Sequence, residues 1–189
     1  MYNVEKERGY LVMKIYLLRH GQTDWNKDKL LSCSDKAQLN EIGIKQAEEA
    51  SKLLKNINYD FVLSSPYIRA KRTAEIANNG RAPIIIEDRL KEREAGVLDG
   101  KPLAEIDMDE FFNYYKNVEY EGAENIQDFC SKVWSFLDDI KIKYKDKNLL
   151  IVTHSIVIRA IKAHILGIPE NGSIREYRPQ NCILEEYEI

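Results

Sequence analysis

Five short apolar runs, separated by stretches of helical length, constrain the fold of this chain more than any other feature. The runs are Lys14 to Leu18, Phe61 to Leu63, Ile84 to Ile86, Leu149 to Val152 and Ile183 to Tyr187. Runs this short suit strands, and the intervals between them leave room for crossover helices. Asn40 is placed to cap a helix over Glu41 to Lys55 whose Ile44, Ala47, Ala50 and Leu54 face inward; an acidic first turn suits the helix dipole. Ser65-Pro66 reads as the N-cap and first-turn proline of a second helix, which Gly80 ends. A third is predicted from about Glu124 to Lys145, because Ile126, Phe129, Val133, Phe136, Leu137 and Ile140 share one face. A fourth starts at Ser155 and stops near Gly167, with Pro169 beyond. Strands alternating with helices predict an α/β fold: three layers, α/β/α, around a mostly parallel sheet. Val97 to Gly122 breaks that rhythm. Its Phe111, Phe112, Tyr114, Tyr115 and Tyr120 sit among acidic residues. That stretch is expected to be a small helical cap insertion over the end of the sheet. Its aromatics should form its own core, with Tyr114 or Tyr115 the ones available to a ligand.

A chain of 189 residues, 44% hydrophobic, has the length for one domain with a full core. Residues 14–189 are expected to form it, with 1–13 an N-terminal extension and Met13 the natural start. A net charge of −3 weighs against nucleic acid as a partner, which wants a basic face, but allows a small basic pocket. Cys33, Cys130 and Cys182 are odd in number and widely spaced, so neither a zinc site nor a disulfide framework is indicated, and a cytoplasmic location fits. No apolar stretch approaches the ~18 residues of a membrane helix.

Four segments put phosphate-type chemistry where strands end. Arg19-His20-Gly21 closes the first run and leads into Gln22-Thr23-Asp24-Trp25-Asn26. Ser64-Ser65-Pro66 follows the second run, with Arg69 about one turn into a helix. Glu92 follows the third, and Val152-Thr153-His154-Ser155 closes the fourth. In open α/β sheets ligands bind beyond the carboxyl ends of the strands. An imidazole there is a potential nucleophile, and arginine forks suit phosphate oxygens. Crowded cations should hold His20 neutral, the form able to attack phosphorus. A carboxyl with a raised pKa, at Glu92 or at nearby Glu94, would protonate the leaving oxygen. Backbone N–H groups of the helix starting near Ser155 would add to the phosphate site. No carboxylate cluster points to a metal, and no cofactor is implied. His164, mid-helix, reads as structural.

Together these segments resemble the histidine phosphatase superfamily, the phosphoglycerate mutase-like family, over nearly the whole chain from Lys14. The resemblance implies that His20 carries a phosphohistidine. It implies that Arg19, Arg69 and His154 grip phosphate, that Asn26 contacts it, and that Glu92 is the acid. It also implies a small-molecule phosphate ester as substrate. A loop-capping role remains the other reading of Asn26.

The chain departs from the family pattern in places. Ser155 stands where a glycine is usual, and its hydroxyl is expected to cap the helix while lying at the phosphate. Ser32 to Gly43 lacks the usual glycine and proline, and Ala95 replaces an aromatic. A mutase must shield its phosphorylated intermediate from water, which calls for a larger lid than this insertion. Hydrolysis of a phosphomonoester is therefore the expected activity. A phosphoglycerate mutase-type phosphotransferase and a non-catalytic phosphate-binding module are the alternatives.

Overall fold

The computed structural model describes residues 13–189; the expected extension, up to residue 12, lies outside them. Met13 is buried, and its carbonyl accepts from the Ile189 N–H at 3.0 Å. The sheet has five strands: β1 (Lys14–Arg19), β2 (Phe61–Ser64), β3 (Ile84–Ile86), β4 (Leu149–Thr153) and β5 (Leu184–Glu188). Their order is β3-β2-β4-β1-β5, parallel except for β5, which runs antiparallel to β1. The mostly parallel three-layer reading holds.

Alternation along the central strands sorts the core into two halves, as the pleat requires. Ile15, Leu17, Leu149 and Ile151 face one cluster, built with α5 (Ile126–Lys143) and α6 (Ser155–Leu166). Tyr16, Leu18, Leu150 and Val152 face the other, built with α2 (Glu41–Leu54) and α3 (Ile68–Asn78). β3 departs from the simple rule that an apolar run is a buried one. Ile84 and Ile86 are 37% and 46% exposed, because β3 lies at the sheet's edge.

Asn40 caps α2 as expected, its Oδ1 accepting from the Gly43 N–H at 2.9 Å. The start of α3 is corrected. Ser65 and Pro66 stand before the helix, its N-cap residue is Tyr67 with no side-chain bond, and Asp35 Oδ1 accepts from the Ile68 N–H at 2.7 Å. The cap thus comes from a distant loop rather than from the local Ser-Pro pair. α5 starts at Ile126, with Asn125 Oδ1 accepting from the Gln127 and Asp128 N–H groups.

The insertion contains 3-10 turns and one short helix, α4 (Met108–Phe111). Phe111 and Phe112 join the main core cluster, so the insertion has no separate core. Arg93, buried, pins it: Nη1 donates to the Phe111 carbonyl at 2.6 Å, Nε donates to the Glu124 carbonyl at 2.8 Å, and the guanidinium lies over the Phe111 ring. Tyr114 stacks on Trp134, and Tyr115 is 60% exposed. Neither faces the cleft described below, contrary to expectation; Met108 and Phe112 do.

Candidate active site

β1, β2 and β4 deliver their last residues to one place. The His20 N–H donates to the Thr153 carbonyl at 2.9 Å, tying the end of β1 to the end of β4. Gly21 lets α2 approach closely. A Cβ on Gly21 would lie 2.3 Å from the Gly43 carbonyl oxygen, and one on Gly43 would lie 2.1 Å from that of Gln22. Both distances are impossible for a side chain, so each glycine is required by the other segment. The Gly21 N–H donates to Thr73 Oγ1 at 3.0 Å, and Thr73 Oγ1 donates to the Arg69 carbonyl at 2.7 Å. Turn and α3 are thereby fixed together.

His20 is 2% exposed. Its Nδ1 lies 2.7 Å from the Gly21 carbonyl and its Nε2 lies 3.2 Å from Arg69 Nε. A carbonyl only accepts and a guanidinium only donates. This network assigns the proton to Nδ1 and leaves a lone pair on Nε2. Burial, then the guanidinium groups of Arg69 and Arg19, hold the pKa of His20 well below the ordinary imidazole range. His154 is depressed likewise, by burial first and then by Arg69, His20 and Arg19. The two rings meet edge to face at 5.2 Å. His154 Nε2 pairs with Ser65 Oγ at 2.8 Å, while its Nδ1 is buried without a partner.

Arg69 is fully buried, and its Nη1 and Nη2 donate to the Ser34 and Ser32 carbonyls at 2.6 and 3.4 Å. Arg19 Nη1 donates to the Pro179 carbonyl at 3.0 Å, while Nε is buried and unpartnered. Such a donor costs about 1–3 kcal/mol when left without an acceptor, so Arg19 Nε favours an oxygen-rich ligand. Asn26 belongs to the short helix α1 (Asp24–Lys27), where it forms a reciprocal capping box with Thr23. It also lines the cleft, so the capping reading and the site reading both describe it.

Glu92, 4% exposed, accepts at Oε1 and Oε2 from the Ile156 N–H at 3.2 and 3.1 Å, and at Oε1 from the Arg93 N–H at 3.2 Å. Burial outweighs these bonds and raises its pKa. Glu94 is exposed and does not line the cleft that Glu92 shares with His20. The N-terminus of α6 is corrected accordingly: its Ile156 N–H serves the carboxylate. His154 is the N-cap residue, and Ser155 does not cap the helix; its Oγ accepts from Arg159 Nε at 3.3 Å.

Arg19, His20, Asn26, Glu92 and Ser155 open onto one cleft of about 1150 Å³. Arg69 and His154 reach it through their contacts with His20. Sequence reading passed over several neighbours. Asn181 Nδ2 donates to the His20 carbonyl at 2.7 Å. Arg159, Arg175 and Arg178 line the cleft wall. Arg159 was recoverable, since it lies four residues after Ser155 on one helix face; Asn181, in a loop before β5, had no local signal. No three His, Cys, Asp or Glu side chains among the described residues are grouped to hold a metal ion. No helix among them is long and apolar enough to cross a membrane.

A family model described as the histidine phosphatase superfamily (branch 1) matches residues 15–189. The chain is 35% identical over 163 residues to the "Uncharacterized phosphatase PhoE" of Bacillus subtilis, covering 85% of this chain and 82% of that one. It is 27% identical over 180 residues to a "Probable phosphoglycerate mutase GpmB" of Erwinia tasmaniensis, covering 90% and 82%. Among solved structures, the alpha-ribazole phosphatase from Shigella flexneri superposes with a TM-score of 0.78 at 27% identity, covering 92% of this chain and 89% of that one.

Proposed function

This chain belongs to the histidine phosphatase superfamily, and we propose that within it the protein is a metal-independent phosphomonoesterase acting through a phosphohistidine at His20. The observation that carries this reading is the ring of His20: Nδ1–H on the Gly21 carbonyl and a lone pair on Nε2 beside Arg69. A neutral, oriented imidazole needs no base to become a nucleophile.

Nε2 attacks phosphorus as the ester P–O bond breaks. Arg69 and Arg19, both always charged, meet the charge that spreads over the equatorial oxygens. Arg69 Nε–H turns from Nε2 to a phosphate oxygen, and the orphaned Arg19 Nε and His154 Nδ1 gain acceptors there. Glu92, its pKa raised, gives its proton to the leaving oxygen. It then takes one from the water that splits the N–P bond, so inorganic phosphate leaves and His20 is restored. The insertion supplies only short turns over the cleft, which favours entry of water and hence hydrolysis over phosphoryl transfer to a retained intermediate.

Quenching in alkaline detergent during turnover of an aryl phosphate is expected to trap an alkali-stable phosphoprotein that is lost on acid treatment. His20→Ala is expected to lose that label and about 10⁴-fold or more of the rate. Normal turnover by His20→Ala would overturn the proposal. Release of 2-phosphoglycerate from 3-phosphoglycerate and a bisphosphoglycerate primer would assign the mutase reaction instead.

A further inference from the structure

The cleft is cationic in a chain that is not. Its lining includes Arg19, Lys45, Arg159, Arg175 and Arg178 against Glu49 and Glu92, while the whole chain carries a net charge of −3. A phosphate seated at His20 engages Arg19 and Arg69. That leaves the arginines of the wall uncommitted to it.

Arg159 lies within electrostatic reach of both Arg175 and Arg178. Arg159 Nε donates to Ser155 Oγ, and Nη1 donates to the Ile174 carbonyl at 3.3 Å and to the Arg175 carbonyl. Its guanidinium lies 4.8 Å over the Phe112 ring. Burial and the charges of Arg19, Arg175 and Arg178 push its pKa down to about 10, with Glu92 opposing. Arg175 is paired with Asp109 at 2.7 Å, but both side chains are substantially exposed, and such pairs contribute only about 0–1 kcal/mol. Arg178 is exposed and makes no hydrogen bond or ion pair among the described residues. Its neighbour Pro179 accepts from Arg19, so the main chain that carries Arg178 is anchored at the phosphate site while the side chain stays free to turn.

We propose that the natural ester carries a second anionic group on its leaving alcohol, a carboxylate or a second phosphate, held by Arg159, Arg175 and Arg178. This rests on the hydrolase reading above and narrows its substrate class. Like charges crowded on one wall repel each other in the free protein, and an anion between them removes that repulsion. Met108 and Phe112 offer apolar surface to the carbon chain joining the two anions.

The test compares 3-(phosphooxy)propanoate with its amide, and propane-1,3-diyl bisphosphate with the monophosphate of the same diol. At low salt, kcat/KM for the doubly anionic member of at least one pair should exceed that of its neutral counterpart by about tenfold or more, through KM. That is about 1.4 kcal/mol, within reach of one charge-assisted contact. The pair that shows the preference tells carboxylate from phosphate. In Arg175→Gln/Arg178→Gln the ratio should fall towards one, and in the Arg→Lys double variant most of it should return. A ratio near one for both pairs in the wild type overturns the proposal, as does a preference that survives the glutamine variant. If no ester is hydrolysed, the hydrolase reading fails separately. Calorimetric binding of the same esters then reads the same ratio without chemistry.

Discussion

At the floor of the cleft His20, Arg69, Glu92 and His154 are each no more than 4% exposed. Main-chain groups hold most of them: the Gly21, Ser32 and Ser34 carbonyls, and the Ile156 and Arg93 N–H groups. At the rim, Arg175 pairs with an exposed aspartate and Arg178 stands in solvent. The floor is over-determined by backbone, so its geometry exists before any ligand arrives, which is what transition-state stabilisation requires. The rim is held loosely, so a ligand can reorganise it at little cost. Changes at the floor should therefore act on kcat, and changes at the rim on KM.

The sharpest way to break that contrast is at Arg69. Arg69→Lys keeps a charge but loses the fork that spans His20, Ser34 and Ser32. We expect kcat to fall about 10²–10³-fold. A loss confined to KM would put Arg69 with the rim and erase the distinction.

Glu92 gives the next largest effect. For Glu92→Gln we expect about a 10²-fold loss or more on alkyl esters, whose alkoxide needs the proton, and much less on nitrophenyl phosphate. Because the pKa of Glu92 is raised, wild-type turnover of alkyl esters should decline as pH rises and the acid is lost. Stability follows the same sign. A carboxyl whose folded pKa lies above its unfolded one contributes stability that is present at low pH and lost as pH rises through the folded value. Glu92→Gln should therefore raise Tm at pH 8, and the gain should shrink towards the ordinary carboxylate range. His20 and His154 run the other way. Their depressed values make folding favourable above the ordinary imidazole range, and that contribution is lost as pH falls. A Tm gain that is independent of pH would contradict a buried, titrating Glu92.

The smallest effect tests the loop between floor and rim. Asp35→Ala removes the side-chain cap of α3 and should cost about 0.5–2 kcal/mol in denaturant unfolding. A null result would mean that the helix start is held by its neighbours alone.

What could be read from the sequence follows the same division. His20, Arg19 and His154 stand directly at strand ends, and Arg69 stands one turn into a helix, so local periodicity and short motifs located them. Glu92 is a candidate by its place after β3, and only the fold separates it from Glu94 by putting it on the cleft. The cap of α3 departs from the local rules that Ser65-Pro66 satisfies, because Ser65 Oγ, paired with His154, reaches only the Tyr67 N–H at 3.3 Å, while Asp35 arrives from elsewhere to hold the Ile68 N–H. The α6 N-terminus was misassigned for a similar reason, since Glu92 reaches it from a distant loop. Gly43, Asn181 and Arg178 were invisible: each matters through a partner far away in sequence, and nothing beside it marks that partner.

The strand order has a consequence for how the protein is made. β1 carries the proposed nucleophile, yet its two neighbours in the sheet are the last strands of the chain, and Lys14 meets its Asn148 partner across 134 residues. Chains emerge N-terminus first, so His20 leaves the ribosome with neither flanking strand available. Contacts of such range close slowly. The His20 site therefore stays unassembled until β4 and β5 have been translated, and a nascent or C-terminally truncated chain exposes β1 as an unpaired apolar strand, a target for chaperones.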